Sequence, residues 1–141
     1  MPIIKYDFLP DIFFDSKVKK LKTIYRPYVL VKLGNKSKWS KNFSKSLVDS
    51  GADYNVFPSS FADEIGINCA KGELQKITGV GGLSIDTYMH FVKIKVGNKE
   101  FETVVQFGEN IQTPLLGREG FFNYFDYAKF NVKRRFLEIK Y

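Results

Sequence analysis

Apolar and polar residues alternate along most of this chain, and turn residues recur about every ten positions, a pattern that predicts short β-strands. The run LSIDTYMHFVKIKV (83–96) carries the signal most clearly, with Tyr88, His90, Val92, Ile94 and Val96 on one face. Gly97-Asn98 turns the chain into KEFETVVQF (99–107), where Phe101, Thr103, Val105 and Phe107 alternate again, so the two runs predict an antiparallel hairpin. Upstream, ELQKITG (73–79) and the pair Gly81-Gly82 predict a second hairpin that shares the long strand. IYRPYVLVKL (24–33) reads as a strand ending at Gly34-Asn35, and WSKNFSKSLVD (39–49) as the arm that runs back from it. The alternation lapses at PSSFADEIGI (58–67), where Pro58 and Ser59 open a short helix and Gly66 stops it. After Pro114, LLGREGFFNYF reads as an apolar strand end with a short helix behind it, and AKFNVKRRFLEIKY as two further strands. No repeat, linker or low-complexity stretch stands out, so the expectation is a mostly β chain.

Composition narrows this picture. A chain of 141 residues is one domain, long enough to remove about 68% of the unfolded surface from water. With 44% hydrophobic residues and 14 phenylalanines the chain is globular, since disorder requires far fewer aromatics. Cys69 is the single cysteine, which excludes an internal disulfide framework and a multi-cysteine zinc site and suits a reducing compartment. The first residues, MPIIKYDFLPDIFFDSK, interrupt their apolar run with Asp7, Pro10 and Asp11, unlike the core of a signal peptide, and no apolar stretch is long enough to span a membrane. A soluble, cytoplasmic protein is the expectation.

The net charge of +7 raises the question of a polyanionic partner. Residues 1–50 hold 11 Lys/Arg against 4 Asp/Glu and residues 51–141 hold 11 of each, so the excess is N-terminal in sequence. Lys17, Lys19, Lys20 and Lys22, like Lys36, Lys38, Lys41 and Lys45, are spaced as on the wet face of strands, a solvated edge rather than a phosphate track. Tyr25, Tyr28, Trp39 and Phe43 lie nearby, yet they are not interleaved with the lysines as a stacking platform, and no nucleic-acid-binding signature is present.

The candidate chemistry sits in LVDSGADYNVF (47–57), where an apolar run ends on an acid. A strand that delivers Asp49 into a turn made by Gly51 holds the carboxylate rigidly beside backbone N–H groups and the Ser50 hydroxyl. By itself Asp-Ser-Gly is ordinary turn chemistry. Two further motifs change its weight. DSGAD (49–53) resembles the catalytic loop of the retropepsins, the retroviral-type aspartic proteases; GVGG (79–82) resembles the tip of their flap hairpin; PLLGRE (114–119) resembles their closing signature. All three occur in the family's order and at about its spacing, and the likeness runs from about Ile24 to the C-terminus.

The resemblance implies a retropepsin-like single-lobe acid protease fold, mostly β and closed like a barrel, with one or two short helices. It implies an aspartic endopeptidase without metal or cofactor, acting on extended peptide or protein segments. Asp49 becomes the shared acid and base, Ser50 a hydroxyl bracing the partner loop, and Gly51 and Ala52 the rest of the active-site loop. Asp53 is expected near the substrate backbone and in an internal ion pair with Arg118. Gly79, Val80, Gly81 and Gly82 become the flap tip over the substrate; Leu115, Leu116 and Gly117 pack under the loop. Two departures are visible: Glu119 stands where Asp or Asn is commoner, and the segment between loop and flap is longer, with room for the helix at 58–66.

The mechanism so implied needs two carboxylates face to face. This chain has one Asp-Ser/Thr-Gly, because Asp86-Thr87 is followed by Tyr88. The second acid must come from Asp49 of another copy across a twofold axis, so the expected partner is the chain itself, as a homodimer. Residues 1–23 lie outside the likeness, with 24–141 as the protease domain; an added strand at the dimer interface and a removable regulatory segment both fit the former. A catalytically silent peptide-binding module of the same fold, and a basic nucleic-acid-binding domain, are the competing readings. His90, on an apolar face, and Cys69, without a base nearby in sequence, are expected to be structural.

Overall fold

The structure is a computed structural model that describes residues 2–141. It contains β1 (Ile3–Asp7), β2 (Leu9–Asp15), β3 (Lys20–Arg26), β4 (Tyr28–Asn35), β5 (Lys38–Trp39), β6 (Ser44–Val48), β7 (Asn55–Pro58), β8 (Glu73–Thr78), β9 (Ser84–Val96), β10 (Lys99–Gly108), β11 (Leu115–Leu116), β12 (Tyr127–Asn131) and β13 (Phe136–Lys140). One helix, α1 (Ser59–Glu64), and 3-10 turns at Cys69–Lys71 and Phe122–Tyr124 complete it. The chain divides into two compact units, Val29–Tyr124 and a second made of Met1–Tyr28 with Phe125–Tyr141.

The unit Val29–Tyr124 is one eight-stranded sheet in the order β5-β4-β6-β11-β7-β10-β9-β8, and an added β4–β9 pairing closes six of these strands into a barrel. The longest hairpin is β9–β10, in register from Val96↔Lys99 to Thr87↔Gly108, as the alternation of both runs predicts. Gly97 takes φ +56° in its two-residue turn, a conformation that suits glycine. Val31, Leu33, Ile94, Val96, Val105, Phe107 and Leu116 are fully buried, and each large aliphatic side chain so removed from water contributes about 1.5–3 kcal/mol. On the β4–β5 pairing, the Trp39 ring lies against Gly34, where a Cβ would come within 2.7 Å of it. Gly34 is therefore a packing requirement inside β4, and the turn itself falls at Lys36-Ser37.

Helix α1 follows the expected punctuation: Pro58 precedes it with extended backbone, and Gly66 leaves it at φ +76°. The predicted strand over 24–33 differs. Pro27 separates β3 from β4, because proline donates no ladder hydrogen bond, and β3 pairs back onto β2 instead.

In the other unit, β13 is the middle of a three-stranded antiparallel sheet, β1-β13-β12. Leu137 and Ile139 on β13 are fully buried there, and Ile4 sits opposite Ile139. Strands β2 and β3 form a separate two-stranded hairpin. Lys20 and Lys22 are exposed on β3 and Lys17 and Lys19 in the turn before it, so these four lysines do lie in solvent. Eleven Lys/Arg and five Asp/Glu fall in this unit, net +6, against +1 in the barrel unit, so the basic excess that is N-terminal in sequence gathers on a unit drawn from both ends of the sequence. Among the described residues no helix is long and apolar enough to cross a membrane.

Candidate active site

Strand β6 carries the apolar run Leu47-Val48 and releases the chain at Asp49, because the next residues no longer alternate and Gly51 permits a tight turn. Beside it runs β11 in parallel, Leu115↔Leu47 and Leu116↔Val48. The Leu47 N–H donates to the Pro114 carbonyl at 2.8 Å, and the Asp49 N–H to the Leu116 carbonyl at 3.0 Å. The two motifs DSGAD and PLLGR, some 65 residues apart, are thus laced together by backbone, and the start of the loop is fixed by a fully buried strand end at Leu116.

Within the loop the Gly51 N–H donates to Asp49 Oδ1 at 2.9 Å, and the Ala52 N–H donates to the Asp49 carbonyl at 3.1 Å. A Cβ on Gly51 would stand 3.2 Å from Asp49 Oδ1, tight enough to push the carboxylate, so glycine is the residue that lets the backbone approach. The Asp49 side chain is half-buried and Ser50 is exposed. The loop is then tied a second time: the Arg118 N–H donates to the Ala52 carbonyl at 2.9 Å and the Glu119 N–H to the Asp53 carbonyl at 2.7 Å.

Asp53 and Arg118 form the expected ion pair, but it is not internal in the single chain, where their side chains are 70% and 59% exposed. Solvent screening leaves such a pair worth about 0–1 kcal/mol, so the backbone bonds at Ala52 and Asp53 hold the loop more firmly than the charges do. A small concavity of about 250 Å³ opens there, lined by Asp53, Tyr54, Arg118 and Glu119. A second, of about 630 Å³, lies away from Asp49, with Ser59 and Asp63 of α1, Cys69, Tyr88 and Phe107 among its lining residues.

The residue that sequence reasoning missed is Asn55. Fully buried, its Nδ2 donates to the Val104 carbonyl at 3.1 Å and the Gly120 carbonyl at 2.9 Å, while its Oδ1 accepts from the Gly117 N–H at 3.0 Å. One amide therefore joins β7, β10 and the segment after β11. Gly117 itself has no room for a side chain, since a Cβ would come within 2.5 Å of the Tyr54 carbonyl oxygen. Thr103 Oγ1 adds a bond to the Gly120 carbonyl at 2.7 Å. The one signal available in sequence was a polar residue at the head of the apolar run NVFP.

Gly79, Val80, Gly81 and Gly82 form the tip of the β8–β9 hairpin, which stays in register to Thr78↔Ser84. The Gly79 N–H donates to the Leu83 carbonyl at 3.0 Å and the Gly82 N–H to the Gly79 carbonyl at 3.2 Å. Gly81 and Gly82 adopt φ +94° and +80°, and a Cβ on Gly79, Gly81 or Gly82 would meet nothing within 4 Å. Val80 is fully exposed and Leu83 nearly so, an apolar tip open to solvent in the single chain.

His90 and Cys69 take the structural places expected of them. His90 Nε2–H donates to the Cys69 carbonyl at 2.8 Å, its ring lies beside Phe107, and Gly72 gives it room. Burial, with Asp63 and Glu109 nearby, pushes the Cys69 thiol above the ordinary cysteine range, away from a reactive thiolate.

Sequence and structure comparisons agree with this geometry. The sequence model of the aspartyl protease family matches residues 40–119, a span that includes the loop at Asp49, the glycine-rich tip and Arg118. Among solved structures, the EIAV protease complexed with the inhibitor HBY-793 is similar at a TM-score of 0.50 and 25% identity, over 66% of this chain and 82% of that one. No curated protein matches the sequence significantly. An acid-bearing loop clamped by a parallel strand, inside a barrel shared with a viral protease, places this chain in the retropepsin-like family of aspartyl proteases.

Proposed function

We propose that the chain is a homodimeric aspartic endopeptidase in which Asp49 and Asp49 of the partner subunit activate one water molecule. The observation that carries this reading is the carboxylate of the chain's one Asp-Ser/Thr-Gly, held at Oδ1 by the Gly51 N–H on a loop whose first N–H is tied to β11. Two carboxyl groups about 3 Å apart cannot both ionise cheaply, so the pair shares a single proton. The ionised member takes a proton from water as the water oxygen attacks the scissile carbonyl carbon, and the protonated member donates to the carbonyl oxygen. In the resulting tetrahedral gem-diol, a hydroxyl proton returns to the dyad while the amide nitrogen receives a proton; the C–N bond breaks to give a carboxylic acid and an amine.

The substrate lies extended between the loop and the β8–β9 hairpin, which acts as a flap, with strand-like backbone bonds and contacts from Asp53 and the residues at 79–82. Val80 and Leu83, bare in the single chain, become the apolar cover that excludes water when the flap closes. Ser50 braces the partner loop across the twofold axis. The unpaired Cys69 suits a reducing, cytoplasmic setting.

The test is cleavage of an unfolded protein at mildly acid pH. We expect turnover that a statine-type mimic of the tetrahedral intermediate blocks and that Asp49→Asn abolishes. Turnover surviving Asp49→Asn rejects the assignment; peptide binding without turnover in either form makes the protein a silent binding module.

A further inference from the structure

We infer that the hairpin β2–β3 is an interface arm whose outer apolar face is buried against a second copy of this chain. The inference rests on the homodimer proposed above but concerns a segment the catalytic site does not use. The register Leu9↔Arg26 to Asp15↔Lys20 sorts the hairpin's side chains into two faces. On one, Asp11 pairs with Arg26 at 2.6 Å and Asp15 with Lys22 at 2.8 Å, around Phe13 and Ile24. On the other stand Pro10 opposite Tyr25, Ile12 opposite Thr23 and Phe14 opposite Leu21, with no charge among them.

The second face is the barer one. Ile12 is 66% exposed, Phe14 61% and Leu21 73%, against 42% for Phe13 and Ile24 among the charges; Tyr25, at the base, is 41% exposed with the Arg135 guanidinium 4.0 Å from its ring. An isolated two-stranded hairpin is marginal in water, and one that pairs its charges on one face while leaving three large apolar side chains in solvent on the other is built to be covered.

Charge placement selects the occupant. Lys20 and Lys22 project from the face opposite Ile12, Phe14 and Leu21, and Lys17 and Lys19 stand in the turn beyond the paired residues, so no lysine lies on the apolar face to hold a bilayer or a nucleic acid against it. A protein surface needs no such charges. Two seven-residue strands span about 23 Å by 10 Å, a few hundred Å², well below the roughly 800 Å² per partner of a stable interface. The face therefore adds to a larger contact and does not dock alone. The dyad demands a larger contact of that kind between two copies, and a twofold contact uses the same patch on each.

The test is the dissociation constant of the full chain by sedimentation across a dilution series. The double variant Phe14→Asp/Leu21→Asp is expected to weaken the dimer at least about tenfold, with cleavage lost on dilution and regained at high concentration. Lys17→Glu/Lys19→Glu is expected to leave the constant unchanged. As a readout independent of destabilising substitutions, a nitroxide at Thr23→Cys in a Cys69→Ser chain is expected to be immobilised in the dimer and mobile on dilution. A wild type that is dimeric and active, with Phe14→Asp/Leu21→Asp dissociating no more readily, overturns the arm and leaves the dyad standing. A wild type that is monomeric and inactive at every concentration overturns both. Binding to phosphatidylserine vesicles or to polyuridylate that disappears in Lys17→Glu/Lys19→Glu, with the nitroxide mobile throughout, overturns the arm in favour of a polyanion.

Discussion

Asn55 holds more of the site together than its neighbours in sequence suggest. Truncating it takes the acceptor from the Gly117 N–H and a donor from the Val104 carbonyl in a buried place, while the Gly120 carbonyl keeps its bond from Thr103 Oγ1; each group left unsatisfied costs about 1–3 kcal/mol. We expect Asn55→Ala to lower the unfolding free energy by about 2–4 kcal/mol in urea, allowing for partial relaxation. A loss under about 1 kcal/mol means that other groups close the gap. Arg118→Ala, at an exposed pair, is expected to lower stability by about 1 kcal/mol or less. Cys69 belongs to the same scale: its raised thiol makes iodoacetamide modification near neutral pH slower than that of a free cysteine. Equal rates reject that environment.

At the scale of elements, the β8–β9 tip is conformationally specialised without being sterically confined. Ala at position 81 or 82 strains the backbone, by about 1–2 kcal/mol, in a segment where nothing else is touched. We expect Gly81→Ala and Gly82→Ala to lower the melting temperature by about 3–8 °C, as that strain dictates, and to reduce kcat at temperatures where the chain is still folded; Gly79→Ala, not at positive φ, is the matched control. On β1, burial first, then the Tyr141 hydroxyl, raises the Tyr6 phenol well above its ordinary value. The folded chain thus keeps a proton that the unfolded chain releases near pH 10. Its contribution to stability is complete below that pH and is lost as pH rises beyond it, so alkaline melts should fall less steeply for Tyr6→Phe. An identical alkaline slope in the two proteins contradicts this.

Elements whose signals are local were legible in the sequence. Gly97-Asn98, Pro58 with Gly66, and the three motifs each act through a few adjacent residues, and the strands around them stand where the alternation put them. Pairings between distant segments were not legible. Nothing in IIKYD announces that β13 is its partner, and Pro27 reads as a residue within a strand until β3 is seen to fold back onto β2. Asn55 was missed because its acceptors and donor lie on β10 and beyond β11, out of range of any sequence window.

The whole molecule is where the proposed chemistry is decided, since one chain supplies one Asp49. Equal amounts of wild type and Asp49→Asn, allowed to exchange subunits, should retain about a quarter of the activity of wild type at the same total concentration, because only wild-type pairs hold both acids. Retention of about half marks a chain that works alone.

The pairing of Ile3 with Lys140 has a consequence for refolding. The stretch from Val29 to Tyr124 closes its barrel through segments nearer in sequence than β1 and β13, and so distant a loop as the one between those two strands is slow to close. A chain diluted from urea should thus pass through a stage in which the acid-bearing loop is already shaped and the sheet of β1, β12 and β13 does not yet exist.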